Sequence, residues 1–191
     1  MIDTLLASMD HFDTAAVRAG LGLPDRYVAA TLHRPSNVDD PQAAAALVHA
    51  LHEVADELDL IIPVHPRGRA ALQAAGLDAH PRLHVCDPLG YLEFMALVRG
   101  ASAVITDSGG VQEETTLLRV PCLTLRPNTE RPITITSGSN RLVTDAELAA
   151  AVLKSVHDGP YTGELPPLWD GQAGPRIARV ITAWLDPDGR R

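Results

Sequence analysis

The sequence alternates between short apolar runs rich in β-branched residues and longer stretches with helical periodicity. The apolar runs cover residues 27–32, 60–64, 82–85, 103–106 and 121–125, with a short edge strand at 141–143. Helix-like segments and short connections join successive runs, an order that is typical of βαβ units. Parallel strands need such crossovers, because a hairpin turn cannot connect them. The sequence therefore predicts an α/β fold with a doubly wound parallel sheet.

Composition and charge limit the functions that this chain can have. Its 191 residues are 46% apolar, which is enough to bury the core of one domain. The formal net charge of -8 argues against non-specific binding to nucleic acid or to an anionic membrane. No signal peptide or long apolar run is present, so we expect a cytoplasmic protein. Cys86 and Cys122 lie in strand contexts without metal-ligand spacing, which predicts buried reduced thiols and no metal.

The most informative stretch runs from residue 103 to residue 116, where a buried strand is followed by a small-residue turn and a helix. Gly109 and Gly110 lack Cβ atoms, so a ligand can come close to the backbone. The first turn of the helix offers unpaired N–H groups and the positive end of the helix dipole, which together bind anions such as phosphate. We expect Asp107 or Ser108 to cap this helix. A tight turn that binds nothing fits the same residues.

Polar residues also follow three other predicted strands. His33 and Arg34 come after the first strand, His65 after the second, and Arg131 in the loop after residues 121–125. The carboxyl ends of parallel strands meet at one edge of a sheet, where α/β proteins bind their ligands. We therefore expect these side chains to converge with the Gly-Gly turn on an anion, and better on a diphosphate than on one phosphate. The alternatives are a polar loop, a structural histidine and a charged surface loop.

Several motifs resemble, in order and spacing, those of the non-hydrolysing UDP-N-acetylglucosamine 2-epimerases. They are Thr-Leu-His-Arg-Pro-Ser-Asn at 31–37, Pro-Val-His at 63–65, Asp-Pro-Leu-Gly-Tyr-Leu-Glu-Phe at 87–94, Thr-Asp-Ser-Gly-Gly-Val-Gln-Glu-Glu at 106–114 and Thr-Glu-Arg-Pro at 129–132. The resemblance implies the C-terminal, Rossmann-like half of a two-domain GT-B architecture. It also implies that the carboxylates that move the C2 proton belong to an N-terminal half. Ser36 stands where the family often has glutamate.

The resemblance also implies roles for individual residues. Ser108, Gly109 and Gly110 would hold the diphosphate, Glu114 the ribose hydroxyls, Phe94 the uracil, and Arg131 a phosphate or the sugar. His33 would be the catalytic residue that assists departure of UDP. Arg34 and His65 would contact a second, regulatory UDP-N-acetylglucosamine (UDP-GlcNAc) molecule. No cofactor is implied.

The implied activity interconverts UDP-GlcNAc and UDP-ManNAc by elimination of UDP to a 2-acetamidoglucal, followed by re-addition. Polysaccharide biosynthesis for a cell wall or capsule is the expected setting. We expect residues 1–24 to form a connecting helix, 25–160 a UDP-binding domain, and 161–191 a C-terminal loop and helix. Alone, the chain should bind UDP weakly and need a separate N-terminal half; a homodimer is the other expected assembly. The rival functions are a hydrolysing epimerase, half of a GT-B glycosyltransferase, and a non-catalytic UDP-sugar-binding subunit.

Five local expectations complete the sequence analysis. Residues 1–20 are predicted to form one helix, and residues 33–40 and 133–140 to be irregular. Tyr91 is predicted to fill the core. The last residues, from Asp186 to Arg191, are predicted to be a frayed tail.

Overall fold

A computed structural model describes residues 1–185, and its centre is one sheet of six parallel strands. The strands are β1 (Tyr27–Thr31), β2 (Asp59–Pro63), β3 (Leu83–Cys86), β4 (Ala103–Thr106), β5 (Cys122–Leu125) and β6 (Asn140–Val143). Their order in the sheet is β3-β2-β1-β4-β5-β6. The predicted doubly wound parallel sheet is therefore confirmed, with β6 at an edge. The predicted tail at 186–191 lies outside the described residues.

Helices connect the strands and cover both faces of the sheet. They are α1 (Ile2–Ser8), α2 (Thr14–Gly20), α3 (Pro35–Val38), α4 (Pro41–Ala55), α5 (Pro66–Ala74), α6 (Tyr91–Gly100), α7 (Gly109–Leu118), α8 (Ile133–Thr136), α9 (Asp145–Asp158) and α10 (Ala173–Leu185). The long helices begin where capping chemistry predicts. The Asp40 side chain accepts hydrogen bonds from the first-turn N–H groups of α4, and Thr144 and Glu147 form a capping box on α9.

The three local expectations about helices and irregular segments were wrong. Residues 33–40 contain α3 and residues 133–140 contain α8, each one turn long and too short to show helical periodicity in sequence. Residues 1–20 form two helices separated by a 3₁₀ turn at Met9–His11 rather than one helix. The break follows from Asp13, whose side chain accepts a hydrogen bond from Ala16 N at 2.9 Å and so starts a new helix.

The core has two layers, one on each side of the sheet. One layer contains the buried faces of α4 and α9, and the other contains those of α6 and α7. Leu5 of α1 is fully buried in the second layer, together with Phe12. The first 24 residues therefore pack on the sheet domain itself, whatever else they contact.

Helix α10 has an apolar face that the described part of the chain does not bury. Ile177, Val180, Ile181 and Trp184 recur at helical spacing and are 50% to 78% exposed. The predicted final helix is thus present, but its apolar residues are not part of the core. The amino end of α10 is held near the start of the chain, because Gly174 N donates to Asp3 Oδ2 at 2.8 Å. No helix within residues 1–185 has the length and apolar character to cross a membrane.

Candidate functional site

The candidate site lies at the carboxyl edge of the sheet, where the strand order reverses between β1 and β4. Ligands of doubly wound proteins bind in the crevice at this point. Helix α7 begins at Gly109, directly after β4, and its N-cap residue Ser108 makes no side-chain capping hydrogen bond. The Ser108 side chain therefore leaves the first-turn N–H groups of α7 unsatisfied, as an anion site requires.

Asp107 does not cap this helix, as the sequence had predicted for it or for Ser108, but holds the loop after β1. Its side chain is fully buried. Oδ2 accepts hydrogen bonds from His33 N at 3.0 Å, Arg34 N at 2.9 Å and Asn37 Nδ2 at 3.0 Å. Asn37 also donates to the carbonyl of Leu125 at 3.3 Å. The buried carboxylate thus joins the loop after β1 to the end of β4, and Asn37 joins both to the end of β5.

The same carboxylate orients the imidazole of His33. His33 Nδ1 lies 3.1 Å from Asp107 Oδ1. With Asp107 ionised, this contact places a proton on Nδ1 and leaves Nε2 as the ring atom that can meet a ligand. The His33 and His65 ring centroids are 6.5 Å apart.

A cavity of about 210 Å³ opens beside these two histidines. Its lining residues are Thr31, His33, Pro63, His65, Pro88, Leu89, Tyr91 and Phe94. Three of the predicted site residues, His33, His65 and Phe94, therefore share one cavity. The Nδ1 atom of His65 also accepts a hydrogen bond from Arg67 N at 3.3 Å, and this contact caps α5.

Glu114 lies on α7 and is only 6% exposed. Burial raises the pKa of its carboxyl group, the Glu113 charge adds to the shift, and the hydrogen bond from Tyr91 opposes it. Tyr91 Oη donates to Glu114 Oε1 at 3.1 Å. The prediction that Tyr91 fills the core was wrong, since this residue is 41% exposed and lines the cavity. Burial and the Glu114 charge raise the pKa of Tyr91 to about 12.

Arg131 lies on the other side of α7 and faces Glu113. Its Nε is 3.0 Å from Glu113 Oε1, but the alignment is too poor for a hydrogen bond, so Nε has no hydrogen-bond partner within residues 1–185. Thr129 fixes the loop, because its hydroxyl accepts from Arg131 N at 2.9 Å and donates to Gln112 Oε1 at 2.6 Å. The guanidinium is therefore held near α7 by an ion pair that an incoming anion can replace.

Arg34 is tied to the turn before α7. Its Nε donates to the carbonyl of Asp107 at 2.9 Å. Its charge also helps to lower the pKa of Glu130, although the hydrogen bonds from Arg126 have the larger effect. The structure thus places Arg34 beside the turn that precedes the predicted diphosphate site.

The two glycines at the start of α7 differ in the space around them. A Cβ atom on Gly110 would lie 3.0 Å from the Met1 sulfur, so the Met1 side chain flanks the helix terminus. A Cβ atom on Gly109 would meet only Glu130 Oε2, at 3.9 Å. Open space therefore adjoins Gly109, and a flexible methionine borders the space at Gly110.

Residues 1–182 match the family model described as UDP-N-acetylglucosamine 2-epimerase. The chain belongs to this family. A UDP-N-acetylglucosamine 2-epimerase from Methanocaldococcus jannaschii is 36% identical over 166 residues, which cover 84% of this chain and 45% of the relative. A UDP-2,3-diacetamido-2,3-dideoxy-D-glucuronate 2-epimerase from Pseudomonas aeruginosa is 38% identical over 169 residues, which cover 85% of this chain and 46% of the relative.

Solved structures of the 2-epimerase family agree with the sequence comparison. The M. jannaschii UDP-GlcNAc 2-epimerase, crystallised in complex with UDP-GlcNAc and UDP, has a TM-score of 0.82 and 34% identity. The match covers 95% of this chain and 52% of that structure. The chain spans about half the length of the epimerases it matches, and it has the fold of one Rossmann-like half of the GT-B architecture.

Three residues of this epimerase-family chain were missed as site residues from the sequence. Asp107 and Asn37 lie within the quoted motifs, but their role depends on pairing between residues 70 or more positions apart in the sequence. Tyr91 is the first residue of α6. A position at the amino end of a helix favours exposure, but the apolar ring of Tyr91 suggested burial.

Cys122 is a buried free thiol as predicted, whereas Cys86 is only partly buried.

Proposed function

We propose that this chain is the nucleotide-binding half of a cytoplasmic UDP-GlcNAc 2-epimerase. One observation carries the proposal: the buried Asp107 carboxylate ties the loop that contains His33 to the turn that opens α7. A group that can assist a leaving phosphate and a helix terminus that can bind it are thus fixed relative to each other. Such an arrangement serves a reaction in which UDP departs and returns.

In this proposal the helix terminus holds the diphosphate of UDP. Amides after Ser108 donate to the phosphate oxygens, and Arg131 exchanges its ion pair with Glu113 for one with phosphate. Glu114, oriented by the Tyr91 hydroxyl, accepts hydrogen bonds from the ribose hydroxyls. Uracil lies against Phe94 in the neighbouring cavity. The Met1 side chain moves or packs against the ligand.

His33 then acts on the leaving group. Elimination breaks the bond between the anomeric carbon and the phosphate oxygen and removes the C2 proton, which gives a 2-acetamidoglucal and UDP. Negative charge develops on the departing oxygen, where Nε2 of His33, in the ring form that carries a proton on both nitrogens, can donate that proton or stabilise the charge. The base that takes the C2 proton belongs to a second, N-terminal half, which we propose as the partner of this chain. Re-addition of UDP follows with the opposite C2 configuration.

The P. aeruginosa relative gives a specific reason to test a second sugar. Its identity to this chain is similar to that of the M. jannaschii enzyme, yet its name specifies a diacetamido-glucuronate. The two named substrates share UDP and differ in the sugar. Binding of UDP therefore tests this half of the enzyme, and the choice of sugar is a question for the assembled enzyme.

Isothermal titration calorimetry with UDP tests the nucleotide half. Wild-type chain should bind UDP, and Arg131→Ala should bind about tenfold more weakly, since one charge-assisted contact is lost. Arg141→Ala is the control, because Arg141 is an exposed arginine on β6. Absence of heat with UDP, or equal affinity in the two variants, would contradict the proposal.

Assays of epimerase activity test whether this chain needs an N-terminal half as its partner. The isolated chain should not epimerise UDP-GlcNAc, and adding the N-terminal half of the M. jannaschii relative should restore turnover. UDP-ManNAc as product supports the proposed reaction. Release of free ManNAc with UDP would instead show a hydrolysing epimerase. UDP binding without turnover in the presence of the N-terminal half would favour a non-catalytic subunit.

A further inference from the structure

A second cavity, of about 320 Å³, lies at the amino edge of the sheet, opposite the candidate UDP site. It lies among the residues that precede β1, β4 and β5. Three arginines line it, Arg26, Arg99 and Arg119, together with Ser102 and several apolar residues. None of the lining residues is acidic. In a chain with a formal net charge of -8, such a concentration of positive charge is unexpected.

The arginines of this cavity are not neutralised by neighbouring carboxylates. Within residues 1–185, no carboxylate oxygen lies within ion-pair distance of Arg26, Arg99 or Arg119, whereas arginines elsewhere, such as Arg67 and Arg82, are paired. Asp25 and Asp158, which adjoin lining residues in the sequence, are engaged with Arg18 and Lys154. The three guanidinium groups therefore keep most of their charge available to a ligand.

Some of the guanidinium donors are used by the protein, and most are not. Arg99 Nη1 donates to the Met9 carbonyl at 3.2 Å, and Arg119 Nη1 donates to the carbonyls of Tyr161 and Gly163 at 3.2 and 2.9 Å. No side-chain hydrogen bond from Arg26 is present in the described part of the chain. A guanidinium has five N–H donors, so each arginine retains several.

The helix ends around the cavity do not cancel this charge. The carboxyl ends of α6, α7 and α9 all border it, and each contributes about half a negative charge. Three arginines supply roughly twice the opposite charge. Neutralising the helix dipoles alone would thus need fewer cations than are present.

The backbone conformation of Arg119 also indicates that its side chain has a role at the cavity. This residue ends α7 in the left-handed conformation, with φ 61°, where glycine is the usual choice. The left-handed conformation is strained for an arginine. In this conformation the Arg119 side chain lines the cavity and donates hydrogen bonds to the segment 159–163 beside it.

We propose that this cavity is a second anion site that binds a small phosphorylated ligand. Guanidinium groups recognise phosphate oxygens through paired hydrogen bonds, and three of them suit a diphosphate or a ligand with two phosphates. The apolar lining can cover a small organic body attached to the phosphates. The site is separate from the carboxyl-edge crevice, so it does not depend on the function proposed above.

Titration of the ¹⁵N-labelled chain with inorganic pyrophosphate, followed by NMR, tests the site and locates it. Pyrophosphate should shift the amide signals of residues 99–102 and 118–120. Arg26→Ala should weaken the pyrophosphate affinity measured at these signals about tenfold. It should keep the fold, since Arg26 makes no ion pair or side-chain hydrogen bond within residues 1–185. Arg179→Ala, which removes an exposed arginine of α10, should leave the affinity within about twofold.

Three results would overturn the proposal. They are no shifts at residues 99–102 and 118–120, equal weakening by Arg26→Ala and Arg179→Ala, and shifts confined to residues 108–110. The last result would reveal only the carboxyl-edge site. Conversely, shifts at the amino edge with pyrophosphate, but none at residues 108–110 with UDP, would support this site and contradict the proposed function.

Discussion

Replacing Asp107 with asparagine tests whether this carboxylate positions His33 or only lies next to it. The amide oxygen can take the place of Oδ2 and keep the three N–H contacts of the loop. The amide NH₂ group then takes the place of Oδ1, which lies 3.1 Å from His33 Nδ1. Two donors would face each other unless the imidazole moves its proton to Nε2.

The expected loss of stability follows from these contacts. Hydrogen bonds to a charged group contribute about 1.5–3 kcal/mol, against about 0.5–1.5 kcal/mol for neutral ones. Three weakened bonds cost about 3 kcal/mol, and relief from burying a charge offsets part of this cost. We expect a net loss of about 1–3 kcal/mol, which lowers the melting temperature of a chain of this size by about 3–10 °C.

Two measurements on Asp107→Asn check this reasoning. Thermal unfolding gives the melting temperature, and the ¹⁵N chemical shifts of the His33 ring report which nitrogen carries the proton. Wild type should be protonated at Nδ1 when the ring is neutral, and the variant at Nε2. Asp10→Asn, at an exposed aspartate in the first segment, is the control. An unchanged melting temperature together with an unchanged tautomer would refute the role of Asp107.

Three further predictions concern single residues of the site. Gly109→Ala should stabilise α7 by up to about 1 kcal/mol and weaken UDP binding at least about tenfold, as urea unfolding and calorimetry can measure; stabilisation with unchanged UDP affinity would indicate a plain turn. Tyr91→Phe should weaken UDP binding by about three- to tenfold, because Glu114 loses the donor that orients it; equal calorimetric affinity would remove Glu114 from the site. Hydrogen bonds from Arg126 lower the pKa of Glu130 to about 2 from its usual 4.5, so this pair stabilises the fold above about pH 4.5 and loses that effect as the pH falls towards 2. Urea midpoints of wild type and Glu130→Gln should therefore converge with falling pH, and a constant difference would contradict the pairing.

The sequence predicted the order and type of the long elements because their periodicities are strong. Strands such as β1 and β4 are continuous apolar runs, and α4 combines an initial proline with apolar residues at helical spacing. The single turns α3 and α8 were missed, since a turn of four residues has no period to detect. Periodicity in the sequence therefore predicted the strands and the long helices, but not the single-turn helices in the connections.

The sequence predicted those residues of the candidate site that directly follow a strand. His33, His65 and the glycines follow strands, and topology alone brings strand ends to one edge. The role of Asp107 was not predictable, because an aspartate before a helix usually caps it. Only the folded structure shows that its oxygens face a loop 74 residues earlier. The same limit applies to Tyr91, whose hydroxyl contacts a residue of another helix.

A crystal structure of the chain with UDP bound is the most direct test of the candidate site. We predict a diphosphate oxygen within hydrogen-bond distance of an amide nitrogen of Gly109 or Gly110, with Arg131 turned from Glu113 towards phosphate and uracil against Phe94. UDP bound elsewhere on the molecule, with the amino end of α7 still covered by Met1, would contradict it.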